Sequence, residues 1–184
     1  MKIKHNNKGF SLIELIIVIA ILSIVTSTVV VGVGYLYSTN VKSSLKKLNS
    51  ALMKTQSYTT TKSIQSRDIA LKITKDSTGC VLHYVDMTNS DAEIAGMDAE
   101  KIGNSKIYVA LEYSDGTTQT VDSSNPGYVC FDRATGGLLP ESGSGAYLKK
   151  IYVSNASNPV GSGMYITISK VTGKTDIYIN GAKK

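Results

Sequence analysis

The sequence has only two histidines, His5 and His83, and that shortage removes most catalytic chemistry at once. No Ser–His–Asp relay can be assembled from them, and no zinc-ligand set gathers around either. His5 stands in a basic N-terminal stretch. His83 sits among alternating apolar residues and reads as a packed or hydrogen-bonded structural residue. The glycines are scattered as turn glycines, so neither a phosphate loop nor a dinucleotide fingerprint is present. We therefore expect no catalytic activity, no cofactor and no metal. Internal repeats and a second domain boundary are also lacking, and 184 residues leave room for one anchored helix and one small globular domain.

Proline and charge are missing from one region in particular. Between Lys8 and Lys42 the only charged residue is Glu14, and from Leu15 to Leu36 there is neither charge nor proline. Such a run spans about 30 Å of hydrocarbon at about 1.5 Å per residue. Lys2, Lys4 and Lys8 precede it, which predicts a cytoplasmic N-terminus and an extracytoplasmic remainder. A secretory signal peptide has a similar basic start but a shorter apolar core. Thr26-Ser27-Thr28 offers small residues to a signal peptidase, so a secreted product remains an alternative. Glu14 needs its own reason, because a carboxylate inside a membrane-length segment costs about 2 to 3 kcal/mol even on the mild insertion scale.

The motif around it supplies one. Lys8-Gly9-Phe10-Ser11-Leu12-Ile13-Glu14-Leu15 resembles the prepilin processing site of type IV pilins and of the pseudopilins of type II secretion. The resemblance implies cleavage between Gly9 and Phe10 by a prepilin peptidase and N-methylation of the new Phe10 amine. It also implies that this cation lies beside Glu14 of a neighbouring subunit, so that Glu14 sets the register of a filament. One departure matters: many family members carry a helix-breaking proline mid-span, and around Val31 this chain has none. Thr28-Val29-Val30-Val31 with Gly32 and Gly34, residues of poor helix propensity, is where the helix would loosen on assembly.

Apolar periodicity continues past the run, with Val41, Leu45, Leu48 and Leu52 on one face and Lys42, Lys46, Lys47 and Lys54 mostly on others. One helix from Phe10 to about Tyr58 is predicted. From Ile69 the period changes to two: Ile69, Leu71, Ile73; Val81, His83, Val85; Ile107, Val109, Leu111; Val129, Phe131; Ile166, Ile168; Ile177, Ile179. Turn chemistry falls at Asp76-Ser77-Thr78-Gly79, Ser114-Asp115-Gly116-Thr117, Ala134-Thr135-Gly136-Gly137 and Val171-Thr172-Gly173-Lys174. Asn89-Ser90-Asp91 reads as the N-cap of a short helix ending near Gly103. Pro140 to Gly145 and Ser154 to Gly163 read as exposed loops.

The expected fold is thus α+β: a long N-terminal helix, membrane-spanning in its first half and amphipathic in its second, packed against an antiparallel sheet as in pilins. The divisions are a leader at 1–9, the membrane or filament-core half of the helix at 10–37, its amphipathic half at 38–60 and a β-rich head at 61–184. The order of a helix ending near Ala51 to Thr55, a strand near Ile69 to Ile73, and late segments from Gly127 through Gly136 and from Ile166 through Gly173 is also similar to that of the H-type minor pseudopilins and their fimbrial relatives.

Cys80 and Cys130 both fall on expected strands of the head. A bridge between them would close a loop of about fifty residues and stabilise by roughly 4 kcal/mol; two buried free thiols are the alternative. Removal of the three leader lysines would lower the formal charge of +6 to about +3. Lys149, Lys150, Lys170, Lys174, Lys183 and Lys184, interleaved with Tyr147, Tyr152, Tyr165 and Tyr178, leave nucleic acid as a secondary partner, with one solvated sheet face as the plainer reading. The primary partners implied by the resemblance are other pilin subunits, the prepilin peptidase, an assembly platform and the membrane. A membrane-anchored binding domain that never polymerises is the remaining alternative.

Overall fold

The computed structural model describes residues 11–62 and 67–184, with the side chains of all but 27–37. Its one long helix among these, α1 (Leu12–Lys62), is followed by eleven strands. The chain divides into two compact units, Met1–Ser38 and Thr39–Lys184.

In the first unit, every large apolar side chain of α1 from Leu12 to Val25 is exposed, none by less than 46%. The hydroxyls of Ser23 and Thr26 donate to the carbonyls of Ile19 and Leu22, each at 2.8 Å, and so keep their polarity inside the helix. Among the described residues no helix is long and apolar enough to cross a membrane. The expected span continues through 27–37, whose side chains lie outside the described ones.

In the second unit, α1 buries Val41, Leu45, Leu48 and Leu52, the face its periodicity marks out, together with Ser44, Ala51, Thr55 and Thr59. Hydroxyls on a buried stripe need acceptors. Ser44, Thr55 and Thr59 find them at the carbonyls four residues back, at 2.8 to 2.9 Å. The helix therefore runs a turn past Tyr58, to Lys62.

Two antiparallel sheets complete this unit. The first joins β1 (Ile69–Lys75), β2 (Cys80–Asp86), β3 (Ala92–Glu93), β4 (Glu100–Ile102) and β7 (Gly127–Cys130), with β3-β2-β1-β7 as its main path and β4 also on β2. The second runs β11-β10-β9-β8-β5-β6, from β5 (Tyr108–Tyr113), β6 (Thr118–Thr120), β8 (Leu148–Ser154), β9 (Met164–Ile168), β10 (Thr175–Ile179) and β11 (Ala182–Lys183). Inner-face residues of both sheets and the helix stripe share one core, with Tyr84, Phe131 and Ile151 among its fully buried members.

Two expectations are corrected. The apolar face of β2 is Cys80, Leu82 and Tyr84 and not Val81, His83 and Val85, because Tyr84 pairs with Leu71 and Leu82 with Ile73. Val85 is buried as well, on the opposite face. No helix follows Asn89: Ser90 and Asp91 adopt left-handed φ of 50° and 58°, which reverses the chain and lays β3 against Val85 and Asp86. A helix start requires right-handed dihedrals there. A strand that the alternation did not mark, Leu148–Ser154, lies between β5 and β9 in the second sheet, with Ile151, Tyr152 and Val153 buried. The four expected turns all fall at chain reversals, and Asp76 shows why: its Oδ1 accepts the N–H groups of Thr78 at 2.6 Å and Gly79 at 2.9 Å.

Candidate functional site

Gly9 and Phe10 lie outside the described residues. Glu14 stands in the first turn of α1, and its Oε2 accepts a long hydrogen bond, 3.4 Å, from the Ser11 N–H. Ser11-x-x-Glu14 thereby forms the reaching-back half of a capping box, which satisfies an orphan donor and places negative charge at the positive end of the helix dipole. The carboxylate has a local structural role in addition to the role implied for it by the resemblance.

Cys80 and Cys130 are both free thiols, so of the two alternatives the bridge is the one not formed. The register explains it. Cys80 pairs with Lys75 and Cys130 with Ala70, on opposite edges of β1. Five residues of strand put them about 16 Å apart along β1 alone and, by alternation, on opposite faces of the sheet. A disulfide needs Cα atoms within about 7 Å. Burial pushes the Cys80 thiol up to about 11 and raises that of Cys130 too, so neither is an activated nucleophile.

The outer face of the first sheet carries a polar cluster that sequence spacing did not announce, because its members come from four separate segments. His83 is hydrogen-bonded through both ring nitrogens, Nε2 to Thr74 Oγ1 at 3.2 Å and Nδ1 to Glu93 Oε1 at 2.7 Å. Beside it Asp91 accepts from the Tyr128 hydroxyl at 2.6 Å and from Lys72 at 3.0 Å. The Tyr128 hydroxyl first, and then the Lys72 ammonium, hold the Asp91 carboxyl below the usual range.

The second sheet repeats the arrangement. Glu112 accepts from the Tyr152 hydroxyl at 2.6 Å and from Lys150 at 3.3 Å, with Lys149 at 3.8 Å, and its pKa is lowered by the same causes in the same order. Tyr178, Tyr165 and Tyr152 occupy one row across β10, β9 and β8. Tyr165 and Tyr178 stack on each other, centroids 4.9 Å apart and planes within 10°. Their facing π-surfaces are thus occupied by each other. Of the lysines considered for nucleic acid, Lys149 and Lys150 share Glu112, Lys183 pairs with Asp176 at 2.8 Å, and Lys170 lies 3.8 Å over the Tyr147 ring.

Among the described residues no group of His, Cys, Asp and Glu is placed to hold a metal ion. The N-terminal segment is the part of the chain with a known counterpart: residues 4–30 match the prokaryotic N-terminal methylation motif. That match includes Gly9, Phe10 and Glu14 and suggests a pilin-type precursor. No curated protein and no solved structure matches the chain.

Proposed function

We propose that this chain is a structural subunit, pilin or pseudopilin, of a type IV pilus-like filament. The observation that carries the reading is the methylation-motif match over residues 4–30, with Gly-Phe and Glu14 in register within it. A precursor in the cytoplasmic membrane, with its N-terminus inside and its head outside, is cut between Gly9 and Phe10, N-methylated and drawn by an assembly platform into a surface filament. The all-round exposure of Leu12 to Val25 supports this, since an apolar helix exposed on every side requires lipid or neighbouring helices to cover it. The peptidase acts on this protein; the chain itself has a structural and not a catalytic part.

Intact-mass analysis of protein from cells tests the proposal. The expected product begins at N-methyl-Phe10, and Gly9→Val abolishes the cut while leaving the chain in the membrane. A product starting at Met1, or after Ser27, would refute the filament reading in favour of a plain anchor or a secreted protein.

A further inference from the structure

A cavity of about 630 Å³ opens in the second unit, between the free edge of β7 and the end of the β5–β6 hairpin. We infer that it is a docking slot for an extended polypeptide segment bearing an apolar side chain next to a lysine or arginine. The inference draws on the head alone and is independent of the N-terminal chemistry.

The backbone makes the first argument. β7 ends the path of its sheet, so one side of it has no strand partner among the described residues. The Cys130 carbonyl accepts from the Leu139 N–H at 3.0 Å, which shows that the peptide groups of Cys130 point off this edge. By alternation those of Tyr128 do as well, while Gly127 and Val129 address β1. Pro126, next along the edge, has its carbonyl taken by Gln119 Nε2 at 2.9 Å. Between the Pro126 and Cys130 carbonyls, both of them taken, the N–H and C=O of Tyr128 face the opening, and Tyr128, Val129 and Cys130 all line the cavity. A donor and an acceptor at the spacing of one residue are what an extended peptide presents.

The walls make the second argument. Val129, Leu138, Leu148 and Tyr113 are buried and line the cavity, so the side chain that enters is apolar. Arg67, on the wall, holds a left-handed φ of 74°, a strained state for a residue with a Cβ. Its guanidinium donates to Ser142 Oγ at 3.0 Å and to the Pro140 carbonyl, bracing the 140–142 segment as the opposite wall. The exposed Glu141 carboxylate, which accepts from the Ser144 hydroxyl at 2.8 Å, is the charge at the rim, and Asp68 adds a second carboxylate to the lining, so the opening favours a cation.

Full-length protein in detergent micelles, panned with a phage-displayed library of random linear heptapeptides, tests the slot. Thr88→Trp is the counter-selection: Thr88 is an exposed rim residue, and indole there fills the opening without entering the core. The expected result is a set of peptides with an apolar residue beside Lys or Arg. Thr88→Trp, or N-methylation of the peptide's central amide, weakens them by about tenfold or more; Glu141→Gln weakens them by about threefold. Bound peptide also slows maleimide labelling of Cys130, which lines the cavity. Failure to enrich any peptide overturns the inference. Equal binding to Thr88→Trp at an unchanged melting temperature overturns it too, as does displacement of the peptides by an oligosaccharide at lower concentration than by free peptide.

Discussion

Asp91 and Glu112 solve the same problem in the same way, each placing a carboxylate between a tyrosine hydroxyl at 2.6 Å and a lysine ammonium. Both carboxyls are held below their ordinary range, and the tyrosine is the first cause in each. A carboxyl whose pKa is depressed on folding adds stability that is full above its unfolded pKa and is lost as pH falls through the folded one. Acid should therefore unfold the head progressively below about pH 4, where unfolded carboxyls take up protons. Tyr128→Phe with Tyr152→Phe removes the main cause at both sites, raises both pKa values toward normal and moves the acid midpoint to higher pH. Circular dichroism against pH measures this, and an unmoved midpoint would show that the hydroxyls do not tune the acids. The thiols give a second residue-scale prediction. Cys130, half-buried, should react with maleimide in the folded protein, Cys80 only on unfolding, and electrophoresis should be the same with and without reductant. A mobility change on reduction would contradict the strand register.

Among the elements, α1 and the two sheets meet at Gln56. Its side-chain amide donates one N–H to the Gly136 carbonyl at 2.7 Å and the other to the Thr172 carbonyl at 2.8 Å, tying the turn after β7 and the β9–β10 turn to the helix. Gly173 makes the junction possible: at φ 65°, a Cβ there would lie 2.1 Å from the Gly136 oxygen. Gln56→Leu leaves two carbonyls without their donor and should cost about 2 kcal/mol. Gly173→Ala adds strain to a clash and should cost at least as much. Thermal melts of the two variants against wild type test both, and a wild-type midpoint for Gly173→Ala would mean that the turns are not packed as described. None of this junction could be read from the sequence, since Gln56 carries no signal that separates it from any exposed helix polar residue. What was legible followed periodicity and turn chemistry: the stripe of Val41, Leu45, Leu48 and Leu52, the strands around Leu71, Val109 and Ile166, and the Asp-Gly turns. What was not legible depended on pairing. The phase of β2 is ambiguous when both Val85 and Tyr84 are buried, β8 hides behind its lysines, and the Asn89 to Asp91 helix cap is locally indistinguishable from the left-handed turn that forms. The polar clusters around Asp91 and Glu112 escape for the same reason.

At the scale of the whole molecule, the two units have opposite relations to water. The second unit hides its apolar residues in a core, and the first leaves them outward from Leu12 to Val25. On the filament reading it is assembly that covers them, and Glu14 then has two distinct tasks. As a cap it needs only an acceptor for the Ser11 N–H, which a glutamine oxygen supplies, since capping boxes accept Gln at this position. As a register residue it needs a negative charge to meet a neighbour's Phe10 ammonium, in a low-dielectric setting where that pairing outweighs a surface salt bridge. The variants separate the tasks. Glu14→Gln keeps the acceptor and loses the charge; Glu14→Ala loses both; Glu14→Leu also loses both while removing a group that is costly in lipid, so it should enter the membrane at least as well as wild type. If charge pairing governs recruitment, all three are processed between Gly9 and Phe10 and all three fall by about tenfold or more in the ratio of sheared filament protein to membrane-held protein, a loss of at least about 1.4 kcal/mol per incorporation. If capping is the whole role, Gln assembles like wild type while Ala and Leu fail. Wild-type incorporation of all three, measured with any partner subunit present, would remove Glu14 from assembly and leave the helix cap as its only task.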